Sequence, residues 1–397
     1  MQEHIKTLAE AWLAEGIAIR RHLHQHPELS FQEVKTSLFI AEKLEAYGVP
    51  HQNGWAGGTG IVGTIVGGKP GKVVALRADI DALPIKEANE VPYRSENEGT
   101  MHACGHDVHT TCLLGAAFIL NTLKEELEGS VKLIFQPGEE LLPGGASLMI
   151  KEGALQNPVP GAIFGQHVEP PLAAGKVGFR AGRYMASADE IYMTIRGKGG
   201  HGAMPHTTVD PILIAAHVLT GLQQVVSRNT NPLLPAVLTF GHIASEGGAT
   251  NVIPEVVHFK GTFRTMDESW RFEAHKRIRS IAQGIAEGMG GTCDCRIEVG
   301  YPVLFNDEPL TARARQWAVD FLGADNVVDL PMRMTSEDFA FYSQHMPACF
   351  YRLGVRQPDR EAVFPVHTNT FDVDEQCLET GAGLLAWMAV ARLLDSK

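Results

Sequence analysis

The chain has 397 residues, 44% of them hydrophobic and 20% charged, a balance that suits a soluble globular protein of two or three domains. A formal charge of −12 and the absence of any dense Lys/Arg run argue against a nucleic-acid partner. The six cysteines are scattered without a disulfide framework, so a reducing compartment, most simply the cytoplasm, is the expected setting.

The first thirty residues, "MQEHIKTLAEAWLAEGIAIRRHLHQHPELS", carry an amphipathic helix pattern. They lack the basic and uninterrupted apolar regions of a signal peptide. His22, His24 and His26 in this stretch read as structural. "TGIVGTIVGG" and "KVVALRAD" read as strands, the second a near-continuous apolar run of the buried kind. "MHACGHDVHTTCLLGAA" then leads into a helix through the apolar run Cys112 to Leu120. "VKLIFQP" and "GAIFGQHV" repeat the strand pattern, with helices between. This predicts an α/β fold with a mostly parallel sheet.

Between residues 186 and 299 the order changes. A strand, "DEIYMTIRG", is followed by a helix opened by Asp210 and Pro211, a cap and first-turn pair. Its apolar face is expected to hold Ile212, Ala215, Ala216, Leu219, Leu222 and Val226. Strands "AVLTFGHIA" and "EVVHFKGTFRT", a helix through "RFEAHKRIRSIAQGIAEGMG" and a strand "CDCRIEVG" complete a βαββαβ, ferredoxin-like unit. Residues 186–299 are therefore read as an inserted domain, and 1–185 with 300–397 as one discontinuous domain. "GAGLLAWMAVARLL" near the end follows Glu379 and is too short to span a bilayer, so no membrane is expected.

Four places carry chemistry. Cys104 and His106 bracket a glycine and could aim thiolate and imidazole at one ion; a buried cysteine is the plainer reading. Glu139 and Glu140 follow the strand end "FQPG", where parallel sheets build their sites. If one binds a metal, its neighbour could take a proton from acidified water; a solvated acidic loop is the alternative. His167 closes "FGQHV", where a backbone-bonded core histidine is the alternative. His367 lies in "FPVHTNTFDV", after the insertion. Cys104, His106, Glu140, His167 and His367 all belong to segments ending at one sheet edge, enough donors for two metals with a shared ligand.

In these motifs the chain resembles the di-metal amidohydrolases of the aminoacylase and carboxypeptidase G type, more narrowly the hippurate hydrolase, N-acyl-amino-acid and auxin-conjugate branch. "RRHLHQHPELSFQE", "LRADIDALPI", "MHACGHDVHT", "FQPGEE", "GKGGHGAMPH", "GGATNVIPE", "GTFRT", "TSEDFAFY" and the His367 segment occur in family order. The resemblance implies that residues 1–185 and 300–397 form a catalytic metal-binding domain and 186–299 a lid and dimerisation domain. It implies two divalent ions per chain, zinc first, with manganese, cobalt or nickel as alternatives. Cys104 would bridge them, His106 and His167 would complete one site, and Glu140 and His367 the other. Glu139 would be the general base and acid. Distant relatives carry a His-x-Asp ligand pair on the "LRADIDALP" strand. Arg77 stands there instead, leaving Asp79 and Asp81 either to support a ligand histidine or to pack.

For the inserted unit the resemblance places His201 on the substrate carbonyl, often across a dimer, with His206 as its rival. Asn251 could give another oxyanion donor, and Arg264 could clamp a substrate carboxylate by two parallel bonds. Thr335 and Asp338 in "TSEDFAFY" look like a capping box. His102 and His109 are not expected to bind metal. The expected reaction is hydrolysis of an N-acyl amino acid to a carboxylate and a free amino acid by a cytoplasmic homodimer. Alternatives are a dipeptidase or carboxypeptidase-like metallopeptidase, a cysteine hydrolase using Cys104 with His106 or His109, and a silent metal-binding homologue. Neither the acyl group nor the amino acid is legible.

Overall fold

The computed structural model describes residues 1–357 and 363–395. Residues 358–362 and 396–397, which fall in the segment assigned above to the catalytic domain, lie outside the described residues. The chain forms two compact units: Met1–Gly182, Phe305–Pro331 and Asp338–Lys397 make the first, Arg183–Leu304 and Met332–Glu337 the second.

The first unit opens with helices α1 (Gln2–Gln25) and α2 (Val34–Ala46). α1 buries Ile5, Ala9, Trp12, Gly16, Ile19 and Leu23, spaced three or four apart along one stripe. Strands β1 (His51–Trp55), β2 (Gly60–Val66) and β3 (Lys69–Asp79) come next. They are followed by α3 (His106–Thr122), β4 (Glu128–Gln136), α4 (Gly145–Glu152), β5 (Ile163–Ala173) and β6 (Val177–Phe179). The second unit supplies β7 (Asp189–Arg196), α5 (Pro211–Leu222) and β8 (Ala236–Ser245). It closes with β9 (Val256–Thr265), α6 (Glu268–Gly288) and β10 (Thr292–Val299). α7 (Glu308–Leu322), β11 (Val327–Asp329), β12 (Ala348–Arg356) and α8 (Cys377–Leu394) return to the first unit.

Among the described residues, eight strands of the first unit form one sheet in the order β1-β2-β4-β3-β5-β12-β6-β11. Its centre, β4, β3, β5 and β12, is parallel, while β1, β2 and β6 join antiparallel. β3 is buried from Val74 to Asp79 and β4 from Val131 to Gln136, as parallel strands under helices must be. α3 and α8 lie against β3 and β5, and α1 packs on both helices. Against expectation, α8 does meet the length and composition of a membrane span, with 18 residues at mean hydropathy 1.4. It is also 72% buried, so its apolarity is that of a core helix.

The second unit has a four-stranded antiparallel sheet in the order β8-β9-β7-β10, with α5 and α6 packed on each other and on the sheet. This is the split βαββαβ topology. β7 buries Asp189, Ile191, Met193 and Ile195 in strict alternation. Asp210 caps α5 by accepting from the N–H groups of Ile212 at 2.9 Å and Leu213 at 3.3 Å. The face of α5 differs from the expected one: Ile214, Ala215, Val218 and Leu222 are buried, whereas Ile212 is 49% exposed. The helix is apolar nearly all round, so its own periodicity does not fix the buried stripe.

Candidate metal centre

The site grows from the C-terminal ends of the central strands of the first unit. β4 ends at Gln136 and the chain turns at Pro137-Gly138 into Glu139 and Glu140. Gly138 has φ +62, and a Cβ there would come within 2.3 Å of the Phe31 ring, so only glycine fits. Its N–H donates to Glu33 Oε1 at 2.9 Å, and the N–H of Glu140 donates to Asp81 Oδ2 at 3.0 Å. The two glutamates are thus held by backbone bonds on either side.

Cys104 precedes the first turn of α3. Gly105 between Cys104 and His106 has φ +82, and a Cβ there would meet Val168 Cγ2 at 2.7 Å. His106 Nδ1 lies 2.9 Å from Asp81 O and 3.1 Å from Asp81 Oδ1. A carbonyl only accepts, so Nδ1 carries the proton, and the buried Nε2 has no hydrogen-bond partner among the described residues. His167 on β5 repeats the arrangement: Nδ1 donates to Val168 O at 2.8 Å, and Nε2 lies 3.4 Å from Cys104 Sγ. In both rings Nδ1 is tied to a carbonyl, which leaves Nε2 as the nitrogen free for a metal ion, as in metal-binding imidazoles. His367 takes φ +62, an uncommon conformation for a non-glycine residue. Its N–H donates to Ala103 O at 2.8 Å and its Nε2 sits 3.1 Å from Glu140 Oε1.

Two triplets of donors result, Cys104 with His106 and His167, and Cys104 with Glu140 and His367, the atoms in each within 4.8 Å of one another. They share the sulfur. Glu139, buried, lies within the same distance of His106 and Glu140, and its Oε1 accepts the N–H of Asp338 at 3.3 Å. A further triplet, Asp79 with His106 and His109, has its donors committed elsewhere. His109 Nδ1 meets Asp79 Oδ1 at 2.6 Å, and His109 Nε2 accepts the N–H of Val168 at 2.9 Å.

The electrostatics favour a cation. Burial, then Glu140, raises the Cys104 thiol above its usual range. Burial opposes charge on His106, yet Asp79 and Cys104 outweigh it and hold the ring well above its ordinary value. Hydrogen bonds with Cys104 and Glu140 push His367 up to about 10. The His106 and His367 shifts mean that positive charge, as protons or metal ions, is stabilised here, while the Cys104 shift means that its thiolate is costly in this buried place without a cation beside it. A soft thiolate, imidazoles and a carboxylate around an unpartnered Nε2 fit divalent metal ions.

The remaining predicted residues lie in the second unit. His201 is exposed in the short pairing of Gly200–His201 with Val252–Ile253, and its Nδ1 accepts the Ala203 N–H at 3.0 Å. The Gly202 N–H donates to Asn251 O at 2.7 Å, bringing the Asn251 and His201 turns together. His206 is exposed in a single helical turn, Pro205–Thr207. Arg264 on β9 is half-buried and donates through Nη1 to Met334 O at 3.1 Å; burial lowers its pKa. His102 is fully buried, with neither ring nitrogen hydrogen-bonded among the described residues.

The capping box expected at Thr335 and Asp338 does not form. The helix there, Ala340–Ser343, has no side-chain cap. The Asp338 carboxylate instead accepts from Arg77 Nη2 at 2.7 Å, Gln136 Nε2 and the Ala146 N–H. A buried guanidinium is a stronger claim on that carboxylate than one backbone N–H. Glu33 and Asp338, which hold the glutamate loop, were missed because their partners are 105 and 199 residues away in sequence.

Residues 75–390 match the family described as peptidase family M20/M25/M40. The chain is 44% identical over 308 residues to an N-acyl-L-amino acid amidohydrolase of Geobacillus stearothermophilus, covering 77% of this chain and 82% of that protein. It is 41% identical to an IAA-amino acid hydrolase of Arabidopsis thaliana, over 96% of this chain and 86% of that one. The fold superposes with a TM-score of 0.83 and 35% identity on a Bacillus subtilis dinuclear metal binding peptidase of the M20 family, covering 97% and 99% of the two chains.

Proposed function

The chain belongs to peptidase family M20/M25/M40, and from that premise we propose how its residues divide the work of an amidohydrolase on N-acyl amino acids. The reaction gives a carboxylate and a free amino acid. The observation that carries the reading is the pair of donor triplets meeting at Cys104, with Glu139 beside them.

Cys104, His106 and His167 would hold one divalent ion, and Glu140 and His367, with Cys104 common to both donor sets, would hold a second. Zinc suits the thiolate best among the candidate metals. When bound, the ions supply Lewis acidity at the substrate carbonyl. Glu139 takes the proton of the attacking water and returns it to the leaving amine. Asp81 fixes the tautomer of His106 through Nδ1. In the second unit, His201 and Asn251 serve as donors to the developing oxyanion, His206 borders the substrate, and Arg264 binds its carboxylate. Two chains associate through this unit as a C₂ dimer, the commonest closed assembly.

Kinetics and metal analysis on paired variants test the division. Glu139→Gln should keep its metal yet lose roughly 10²–10⁴ in rate, whereas Glu140→Gln should lose metal from one site. Arg264→Lys should raise KM for free acids and leave amidated substrates unchanged, because an ammonium lacks the planar fork. Normal metal content in both glutamate variants, or an unchanged acid preference in the arginine variant, would refute the corresponding assignment.

A further inference from the structure

Behind the donor cluster, the first unit buries charged side chains that neither bind the ions nor meet the substrate in the reading above. Arg77, Asp79, His109 and Asp338 are each 1% exposed or less. Burying full charges costs several kcal/mol per ion even when they are paired, so apolar residues of similar size would serve packing alone at least as well.

Their bonds form one continuous path. Asp338 Oδ1 accepts from Arg77 Nη2 at 2.7 Å, and Arg77 Nη1 donates to Asp79 Oδ2 at 2.7 Å. Asp79 Oδ1 lies 2.6 Å from His109 Nδ1. The next bond fixes every proton along the path. The Val168 N–H can only donate, so His109 Nε2, at 2.9 Å, must accept, and Nδ1 must carry the proton given to Asp79. That N–H belongs to the peptide joining His167 to Val168. The carbonyl of Val168 accepts from His167 Nδ1 at 2.8 Å. The backbone just after His167 and the ring of His167 are therefore held by one residue, which His109 holds in turn. At the other end, the peptide N–H of Asp338 donates to Glu139 Oε1 at 3.3 Å.

We infer that Arg77, Asp79 and His109 form a buried positioning relay that presets the His167 ring for metal and ties its placement to the Glu139 loop. This rests on the ligand assignment of His167 proposed above. His109 is a positioning residue, since it reaches the centre only through the Val168 peptide. Asp79 Oδ2, although 3.8 Å from His106 Nε2, serves the relay because its oxygens already hold His109 and Arg77.

The test is a competition titration of the full chain with zinc against a chelator, resolving the affinity of each ion, for wild type, His109→Leu, His109→Gln and His167→Asn. Cobalt loading gives a second readout through the thiolate-to-cobalt absorption, and metal-free thermal unfolding gives a third. His109→Leu should weaken one ion by roughly 10–100-fold, the usual effect of removing a residue that orients a ligand, and leave the other near wild type. His109→Gln should recover most of that loss, because its amide can accept from Val168 and donate to Asp79. His167→Asn should lose the same ion. Wild-type affinity for both ions in His109→Leu, or a drop only in metal-free stability, overturns the relay. If His109→Leu does not fold, Asp79→Asn takes its place with the same expectation and the same refuting result. Two normally bound ions in His167→Asn would instead remove the ligand assignment, and the relay with it.

Discussion

Glu33 is a fully buried carboxylate surrounded by donors. Its Oε1 accepts the N–H groups of Phe31 at 2.8 Å and Gly138 at 2.9 Å, and its Oε2 the Thr59 hydroxyl at 2.8 Å. Burial, then the charge of Asp81, nonetheless raises its pKa from 4.5 to about 7. An acid whose folded pKa is raised holds its extra proton in the native state, so its contribution falls as pH climbs from the unfolded to the folded value. The window here is pH 4.5 to about 7, and the slope is at most about 1.4 kcal/mol per pH unit. Glu33→Gln imitates the protonated acid: one oxygen can accept both N–H groups while the amide donates to Thr59. Thermal unfolding from pH 5 to 8 should show the variant losing less stability than wild type as pH rises. Parallel curves would contradict this account of Glu33. Such a residue was not legible in the sequence, because nothing in "ELSFQE" announces a bond to a glycine 105 positions away. C-x-H, the paired glutamates and the histidine closing an apolar run each stand out within a few positions of sequence, although β5 runs on past His167 to Ala173.

At the scale of elements, the start of α3 depends on Gly105. Two glycines with almost the same backbone angle separate the causes: Gly105 has φ +82 and Gly99 φ +81, but only Gly105 has neighbours within 4 Å of an added Cβ. Gly99→Ala should cost about 1–2 kcal/mol, the penalty of a left-handed L-residue. Gly105→Ala should cost clearly more, because Val168 must also give way beside His167, and it should weaken metal binding as well. Equal unfolding midpoints for the two variants would show that the contact with Val168 carries no weight. Strands and helices with one clear period were readable from the sequence, as in the alternation of β7. α5 was misplaced by a fraction of a turn because Ile212 and Leu213, both exposed, are as apolar as the residues beneath them. The Asp338 segment misled for the opposite reason: its spacing suits a cap, but a buried arginine from β3 takes the carboxylate.

The whole molecule joins a parallel-centred α/β unit, interrupted in sequence, with a βαββαβ unit inserted into it. The break in strand and helix order announced an inserted βαββαβ unit, expected over 186–299, where the compact unit runs Arg183–Leu304. The return of Met332–Glu337 to the second unit was not readable, since no composition change marks so short a segment. The candidate centre lies wholly on the first unit, and the amide chemistry rests on what its donors hold. Metal content per chain, measured alongside the hydrolysis of an N-acyl amino acid before and after chelation, tests this most directly. The expected result is up to two divalent ions per chain, activity lost on their removal and regained on their return, and both occupancy and activity lost in Cys104→Ala. Full hydrolysis by metal-free protein would contradict the account.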